Sequence, residues 1–98
     1  MAFKSFQSTS VTTETTVYTG PANTESTIIG LSVASTSTDP ATVSVKLNDA
    51  FVVKDAPVPV GGALVAVGGE QKLVVEETDT IKVSSDETVD VITSVLEI

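Results

Sequence analysis

The sequence predicts an all-β fold, an antiparallel β-sandwich of immunoglobulin-like or jelly-roll type with about seven to nine strands. Three observations lead to this prediction. Val, Thr and Ser occur in nearly every segment. Val and Thr have restricted χ1 rotamers and Ser competes for backbone hydrogen bonds, so all three disfavour helices, and Val and Thr suit strands. No window has apolar residues at the i, i+3, i+4 and i+7 spacing of an amphipathic helix. Short alternating segments instead recur about every ten residues between Gly, Pro, Asn or Asp, which is typical of a sandwich.

The N-terminal segment predicts strands of lower burial. Residues 1–11 alternate only weakly between apolar and polar side chains, so we expect an N-terminal arm or an edge strand. Residues 12–19 form the next predicted strand and end at Gly20-Pro21, which signals a turn. The polar residues 22–26 follow as a loop, and 27–35 is the strongest candidate for a central strand.

A hairpin is the most specific local prediction. Residues 41–47 alternate cleanly, and residues 50–53 resume the strand after only Asn48 and Asp49. Two residues are the commonest length of a hairpin loop, and Asn and Asp tolerate the positive φ that a type I′ turn requires.

The C-terminal half continues the strand pattern. Residues 55–62 contain two prolines, which cannot donate to a ladder, so we expect an edge or a crossing loop. Further strands are predicted at 63–67, 71–76 and 80–84, with turns at Gly68-Gly69 and Asp86-Glu87. Residues 88–98 are apolar on both faces, so this strand is predicted to be buried on both sides, either centrally in a sheet or against a partner. The predicted core residues are Ile29, Leu31, Val33, Val43, Val45, Leu47, Val75, Ile81, Val83 and Val91.

Composition argues against catalysis. The 98 residues make one domain, 1–98, and include no His, Cys, Trp or Arg. The usual proton shuttle, the strongest neutral-pH nucleophile and the best phosphate ligand are therefore missing. No Ser lies in a nucleophile elbow and no glycine run resembles a phosphate loop. We therefore expect no enzymatic activity, no catalytic residue and no cofactor; a small hydrolase stays a rival interpretation, which a deep pocket with a Lys and pKa-shifted carboxylates would favour.

Charge and hydropathy indicate the kind of partner. The net charge of −8 repels phosphate, which argues against nucleic acid and anionic membranes. Hydrophobic residues make up 41% and the mean hydropathy is +0.30, which is high for a small lone domain. We therefore expect the surplus to be buried against copies of the chain or a larger assembly, as a homo-oligomer such as a trimer.

Two other features leave alternatives open. Carboxylates cluster in two places that could each offer oxygens to Ca²⁺, although neither has the spacing of a calcium loop; they are Glu76, Glu77 and Asp79, and Asp86, Glu87 and Asp90. The Pro-Val-Pro-Val run at 57–60 is stiff and apolar, and it could dock on a neighbouring subunit or cross over one end of the sandwich.

Most of the chain from residue 16 onward resembles small β-sandwich virion proteins of tailed bacteriophages. The segments that carry the resemblance are 16–22, 26–34, 43–47, 55–62, 79–83 and 89–98. Many proteins of this kind have Gly before the Asp of the late turn, whereas Thr78 precedes Asp79 here. The resemblance implies a structural virion component with no cofactor and no active site.

We therefore expect a capsid decoration (cement) protein that binds and stabilises a phage head, assembled in the host cytoplasm, with the major capsid protein or neck and tail proteins as partners. A neck, tail or fibre attachment module is the alternative. So is a β-domain that binds host-surface carbohydrate, with Tyr18 and Phe51 as its available aromatics. Interface candidates, but no metal site, are taken from the N-terminal arm, the proline segment and the last strand: Phe3, Phe6, Pro57, Val58, Pro59, Val60, Leu96 and Ile98.

Overall fold

Nine β-strands and no helix make up the described part of the chain, residues 2–68 and 72–98, in a computed structural model. No helix long and apolar enough to cross a membrane occurs in these two stretches. The strands are β1 Ala2–Val11, β2 Thr15–Thr19, β3 Ser26–Ser35, β4 Ala41–Leu47, β5 Ala50–Val58, β6 Ala63–Val67, β7 Leu73–Val75, β8 Thr80–Ser85 and β9 Val89–Glu97. The all-β prediction is confirmed.

The strands form two antiparallel sheets that pack face to face. One sheet has the order β1-β9-β3-β6, with β7 also paired to β3, and the other has the order β2-β8-β4-β5. The pairs are nested: first strand with last, β2 with β8, β3 with β6 and β7, and β4 with β5. This is a long hairpin folded over on itself, which is the jelly-roll arrangement. An immunoglobulin-like sandwich would instead place β1 and β2 in one sheet. The radius of gyration, 12.8 Å, fits one domain of this length.

The core lies between the sheets and consists mainly of valines, with Ile28, Leu31 and Ile81 as its largest fully buried side chains. Most of the predicted core residues are buried there, while Leu47 is only partly buried against the core. Ile29 was wrongly predicted as a core residue, because the β3–β9 register shifts between Ile28 and Gly30. This bulge turns Ile28 into the core and leaves Ile29 partly exposed.

The predicted hairpin is confirmed, with a different turn. Leu47 pairs with Ala50 across a two-residue loop. Asn48 has a φ of 54°, but Asp49 does not have positive φ. Positive φ at the first central residue alone is the pattern of a type II′ turn rather than type I′.

Residues 55–62 combine an edge strand and a turn. β5 is the edge of the four-stranded sheet and continues through Pro57 to Val58, which is buried. Pro59 then starts a turn that closes with the Gly62 N–H donating to the Pro59 carbonyl at 2.9 Å. Gly61 has a φ of 74°, which is the position of a type II turn that favours glycine.

β9 lies between β1 and β3, as predicted for a central strand. Only one of its faces is buried within the chain: Val89, Val91 and Val95 point into the core, whereas Ile92 is exposed. The prediction that both faces are buried is therefore wrong for the single chain. Residues 69–71, which include one glycine of the predicted Gly68-Gly69 turn and the first residue of the predicted 71–76 strand, lie outside the described residues.

Candidate interaction surface

The outer face of the five-stranded sheet carries two rows of side chains that run across the strands. Directly opposed residues in antiparallel strands share a face. One row therefore contains Phe3, Leu96, Thr27 and Val74, and the other contains Gln7, Ile92, Ser32 and Val65. Each row combines apolar side chains with small or uncharged polar ones.

The apolar members of these rows are well exposed. Phe3, Val65, Val74, Ile92 and the neighbouring Ile98 expose between 48% and 72% of their surface. These side chains gather exposed apolar surface on one side of the sheet, with the small residues Ser5, Ser94 and Gly30 between the two rows. Apolar surface gathered in this way often marks an interaction site. We call this surface the outer face.

Charge is almost absent from the outer face, although the chain has 13 acidic residues. Among the outward positions of its described strands, one holds a carboxylate, Asp90, and it lies at the end of β9. A second carboxylate, Glu25, lies at the margin, opposite Ile98, with which it exchanges two backbone hydrogen bonds. The remaining described carboxylates, apart from Asp55 and Glu97, lie in the connections between strands. The acidic residues therefore surround the outer face without covering it, so it presents neutral, apolar surface to a partner.

The interface candidates from the sequence do not all lie on this surface. Phe3, Leu96 and Ile98 do. Phe6 points to the other sheet, where its ring packs against Tyr18 with centroids 5.2 Å apart. The other sheet carries three exposed candidates in and just after its edge strand β5: Pro57, Pro59 and Val60. Val58 is only 1% exposed, so it belongs to the core and the run is not exposed throughout.

Sequence reasoning missed Val65, Val74 and Ile92 as surface residues. A signal was present, because each lies between two neighbours that are buried or partly buried. Exposure of an apolar residue at an outward position depends on whether anything covers that face, and sequence period does not report this.

A buried polar cluster lies below the outer face, between the two sheets. Glu97 is only 8% exposed and accepts two strong hydrogen bonds, one on each oxygen. The Tyr18 hydroxyl donates to Oε2 at 2.6 Å, and Lys4 Nζ lies 2.8 Å from Oε1. Because the Tyr18 proton is used by Glu97, the Ser26 hydroxyl donates to the Tyr18 oxygen at 2.8 Å. The cluster therefore ties β1, β2, β3 and β9 together.

Glu97 and Tyr18 are each held in their resting ionisation state by the cluster. The hydrogen bond from Lys4, helped by that from Tyr18, holds the pKa of Glu97 below its usual value in spite of burial. Burial, together with the hydrogen bond to Glu97, raises the pKa of Tyr18 to about 12. An ionised carboxylate with a lowered pKa is a poor base, and a phenol with a raised pKa is a poor nucleophile. The arrangement suits a structural clamp.

A groove of about 320 Å³ opens beside the cluster, between β1 and β2. Lys4, Phe6, Thr16 and Pro21 are among its lining residues. A pocket with a Lys and a pKa-shifted carboxylate was the condition that would favour the hydrolase interpretation. Here the groove is open and shallow, and the shift moves the Glu97 pKa away from neutrality, so the geometry does not supply a general base for neutral pH.

The first acidic cluster holds loops in place. Glu77 Oε2 accepts the Asn23 backbone N–H at 2.8 Å. Asp79 uses both oxygens, one for the Asn48 side-chain amide at 3.0 Å and one for the Glu76 backbone N–H at 3.1 Å. Within the described residues, no three acidic side chains converge in a group that could hold a metal ion.

The carboxylates of the second acidic cluster, Asp86, Glu87 and Asp90, also accept hydrogen bonds from other parts of the chain. Asp86 Oδ1 accepts the Thr42 backbone N–H and Glu87 Oε1 accepts the Ser37 hydroxyl, each at 2.7 Å. Asp90 Oδ1 accepts the backbone N–H at the end of β1 at 3.0 Å. These carboxylates therefore satisfy one donor in the loop after β3 and one backbone donor each in β4 and β1, a role that their spacing in sequence does not reveal.

The two aromatics considered for carbohydrate binding are differently placed. Tyr18 is 4% exposed and cannot offer a face to a sugar ring. Phe51 is exposed on β5, but the ammonium groups of Lys46 and Lys54 lie 5.0 and 5.2 Å from its ring centroid. The expectation that both are available to a ligand is therefore wrong for Tyr18.

Fold and surface define this chain as a jelly-roll β-sandwich with an apolar, nearly uncharged outer sheet face. No protein-family model, no curated protein and no solved structure matches it.

Proposed function

We propose that this chain is a structural component of a virion that binds other virion proteins through its outer face, as a capsid decoration (cement) protein assembled in the host cytoplasm. The observation that carries the proposal is the outer face: exposed apolar side chains gathered on one sheet in a chain with a net charge of −8. Apolar surface of this kind is a cost in water unless a partner covers it.

Two further points support the proposal. The jelly roll is an architecture of viral capsid proteins, although lectins and cupins have it too, so the fold alone is an analogy. The second point is the resemblance of segments of this chain, among them 26–34, 43–47 and 89–98, to small β-sandwich virion proteins of tailed bacteriophages. A neck, tail or fibre attachment module would use the same surface, and copy number distinguishes it from a decoration protein.

The carbohydrate-binding alternative receives less support. It needs aromatic faces in a shallow groove, but Tyr18 is buried and the Phe51 ring lies close to two ammonium groups. The outer face contains one aromatic, Phe3, next to aliphatic side chains.

The experiment adds purified chain back to virions assembled without it and measures the bound copies per particle by quantitative mass spectrometry. Saturation at on the order of hundreds of copies identifies decoration, and roughly a dozen or fewer identifies the neck or tail, because copy number follows the symmetry of the attachment site. No saturable binding would contradict the proposal.

Variants locate the surface that binds. Val65→Lys with Val74→Lys introduces two charges on the outer face and should abolish binding, because a buried unpaired charge is strongly unfavourable. Thr13→Lys with Thr38→Lys adds the same charge in exposed loops and should bind normally. Val60→Lys tests the proline segment separately. If Val60→Lys abolishes binding and the outer-face variant does not, the outer face is not the docking surface.

A further inference from the structure

The edge of the five-stranded sheet at β1 has unpaired backbone groups. β1 pairs with β9 on one side, and no strand of the described residues lies on its other side. The pairing with β9 runs from Ala2 to Ser8 without a register shift, so the edge is regular over this length. Every second residue of such an edge directs its backbone N–H and C=O outward, which makes it a template for another strand.

The other sheet edges are blunted. β5 contains Pro57, a positive φ at Asp55 and two register shifts against β4. β6 and β7 are only five and three residues long, and β2 is five residues long with a register shift against β8. Proline, bulges and short length are the usual means of preventing edge-to-edge pairing.

β1 lacks most of these protections over residues 2–8, because its register shift against β9 and its positive φ at Ser10 come only after Ser8. It is ten residues long, contains no proline and has one charged residue, Lys4. The Lys4 ammonium group is directed to Glu97 on the inner face of the sheet. An edge of this length and low charge is suited to accept a strand.

We propose that β1 pairs in antiparallel fashion with β1 of a second copy, about a two-fold axis perpendicular to the sheet, so that the two five-stranded sheets become continuous. Charge favours a second copy on this edge. Two chains of net charge −8 repel wherever their carboxylates meet, and β1 is a ten-residue strand without any carboxylate.

Symmetry also favours this pairing. An edge that pairs with itself forms a closed dimer, whereas pairing of β1 with the β6–β7 edge would be heterologous and would continue into a larger ring or a fibre. The lengths of the two edges also favour self-pairing of β1. It has ten residues, whereas the opposite edge is divided between β6, with five residues, and β7, with three.

The strand itself restricts the register. Like charges directly opposite each other are destabilising, so the register that places Lys4 opposite Lys4 is disfavoured. A two-fold axis at Ser5 instead places Lys4 opposite Phe6 of the partner subunit and Phe3 opposite Gln7 of the partner subunit. The dimer then carries two outer faces side by side on one sheet. The pairing uses the edge of the sheet and the proposed function uses its face. Val65→Lys with Val74→Lys changes the face alone, whereas Ser5→Lys with Gln7→Lys changes the edge and also adds charge to the face.

The test is sedimentation velocity of the full chain from about 1 to about 100 μM, a range that spans micromolar dissociation constants. The native chain should change from monomer to dimer with concentration. Ser5→Lys with Gln7→Lys should stay monomeric or dimerise at least ten-fold more weakly, because the axis brings together the two ammonium groups introduced in place of Ser5. Thr13→Lys with Thr38→Lys, which makes the same change in net charge, should dimerise normally. Circular dichroism verifies that each variant is folded.

Amide hydrogen exchange on the native chain provides a second measurement that needs no variant. Outward-facing amides within residues 2–9 should exchange at least ten-fold more slowly at high than at low concentration, and amides in β5 should not change. A native chain that stays monomeric, a trimer or fibre, a dimer that survives Ser5→Lys with Gln7→Lys, or exchange in β1 that is independent of concentration would each overturn the proposal. A dimer lost in Val65→Lys with Val74→Lys, whether or not it is also lost in Ser5→Lys with Gln7→Lys, would assign self-association to the outer face instead.

Discussion

Removal of one hydroxyl from the buried polar cluster should have a large effect on stability. Tyr18→Phe keeps the ring, with its contacts to Phe6 and the core, and deletes only the oxygen. The lost oxygen donates to the ionised Glu97 carboxylate at 2.6 Å and accepts from Ser26 at 2.8 Å. A hydrogen bond to a charged group contributes about 1.5–3 kcal/mol and a neutral one about 0.5–1.5 kcal/mol. We therefore expect a loss of about 3 kcal/mol, which lowers Tm by on the order of 10–20 °C in a domain of this size.

The measurement is urea unfolding at pH 7 followed by far-ultraviolet circular dichroism. Fluorescence is unsuitable because Tyr18 is the one tyrosine and the chain has no tryptophan. Glu97→Gln removes the charge that Tyr18 donates to. In the double-mutant cycle of the two substitutions we expect a coupling energy of about 1–2 kcal/mol, since the groups share one hydrogen bond. Ser26→Ala, which removes only the neutral donor, is the matched control and should cost about 1 kcal/mol.

The pH dependence of stability provides an independent check. Because the folded-state pKa of Tyr18 is raised from 10.0 to about 12, its contribution is fully present below pH 10 and is lost as the pH rises through about 12. Because the folded-state pKa of Glu97 is lowered from 4.5, its contribution is present above that pH and is lost as the pH falls through the lowered value. Tyr18→Phe should remove the alkaline loss. If Tyr18→Phe lowers the unfolding free energy by less than about 0.5 kcal/mol, or if the effects of Tyr18→Phe and Glu97→Gln are additive, the buried polar cluster is not a structural clamp.

Two further substitutions should stabilise the chain. Thr93 is fully buried and its hydroxyl has no hydrogen-bond partner among the described residues. Thr93→Val should therefore raise the unfolding free energy by about 1 kcal/mol, whereas the control Thr16→Val, at an exposed position, should change it little. A loss of stability in Thr93→Val would mean that the hydroxyl is hydrogen-bonded. Thr78 has a φ of 68°, which costs a β-branched residue about 1–2 kcal/mol, so Thr78→Gly should gain about 0.5–1 kcal/mol in urea unfolding although glycine is entropically unfavourable. Thr38→Gly in another exposed loop should lose stability, and equal losses at both positions would contradict the strain at Thr78.

The outer face and three members of the buried cluster, Lys4, Ser26 and Glu97, belong to the same sheet, while Tyr18 belongs to the other. Lys4 and Glu97 on its inner side hold β1 against β9, and Phe3 and Leu96 on its outer side belong to the proposed docking surface. A variant of the cluster should therefore lower binding only to the extent that it releases β1. This separates the role of the cluster in stability from the role of the outer face in recognition.

Local pattern was sufficient for the fold class and for several elements. The alternation at Val43, Val45 and Leu47 predicted β4 with its correct bounds, because a strand between core and solvent has a side-chain period of two. Asn48 and Asp49 predicted the hairpin for a reason that is equally local. The Gly that is missing before Asp79 also marked a real feature, since Thr78 adopts the left-handed conformation that glycine favours.

Tertiary pairing decided what the pattern could not. The bulge that turns Ile28 inward arises from the register with β9, about 65 residues further along the chain. Val58 is buried because it belongs to the hydrophobic core between the two sheets. Tyr18 and Glu97 are 79 residues apart in sequence, so no local signal connects them. By itself, the sequence determined which residues alternate and where the chain turns, because both depend on neighbouring residues. The structure decided which face stays uncovered and which carboxylates hold loops, because both depend on strands that meet only after folding.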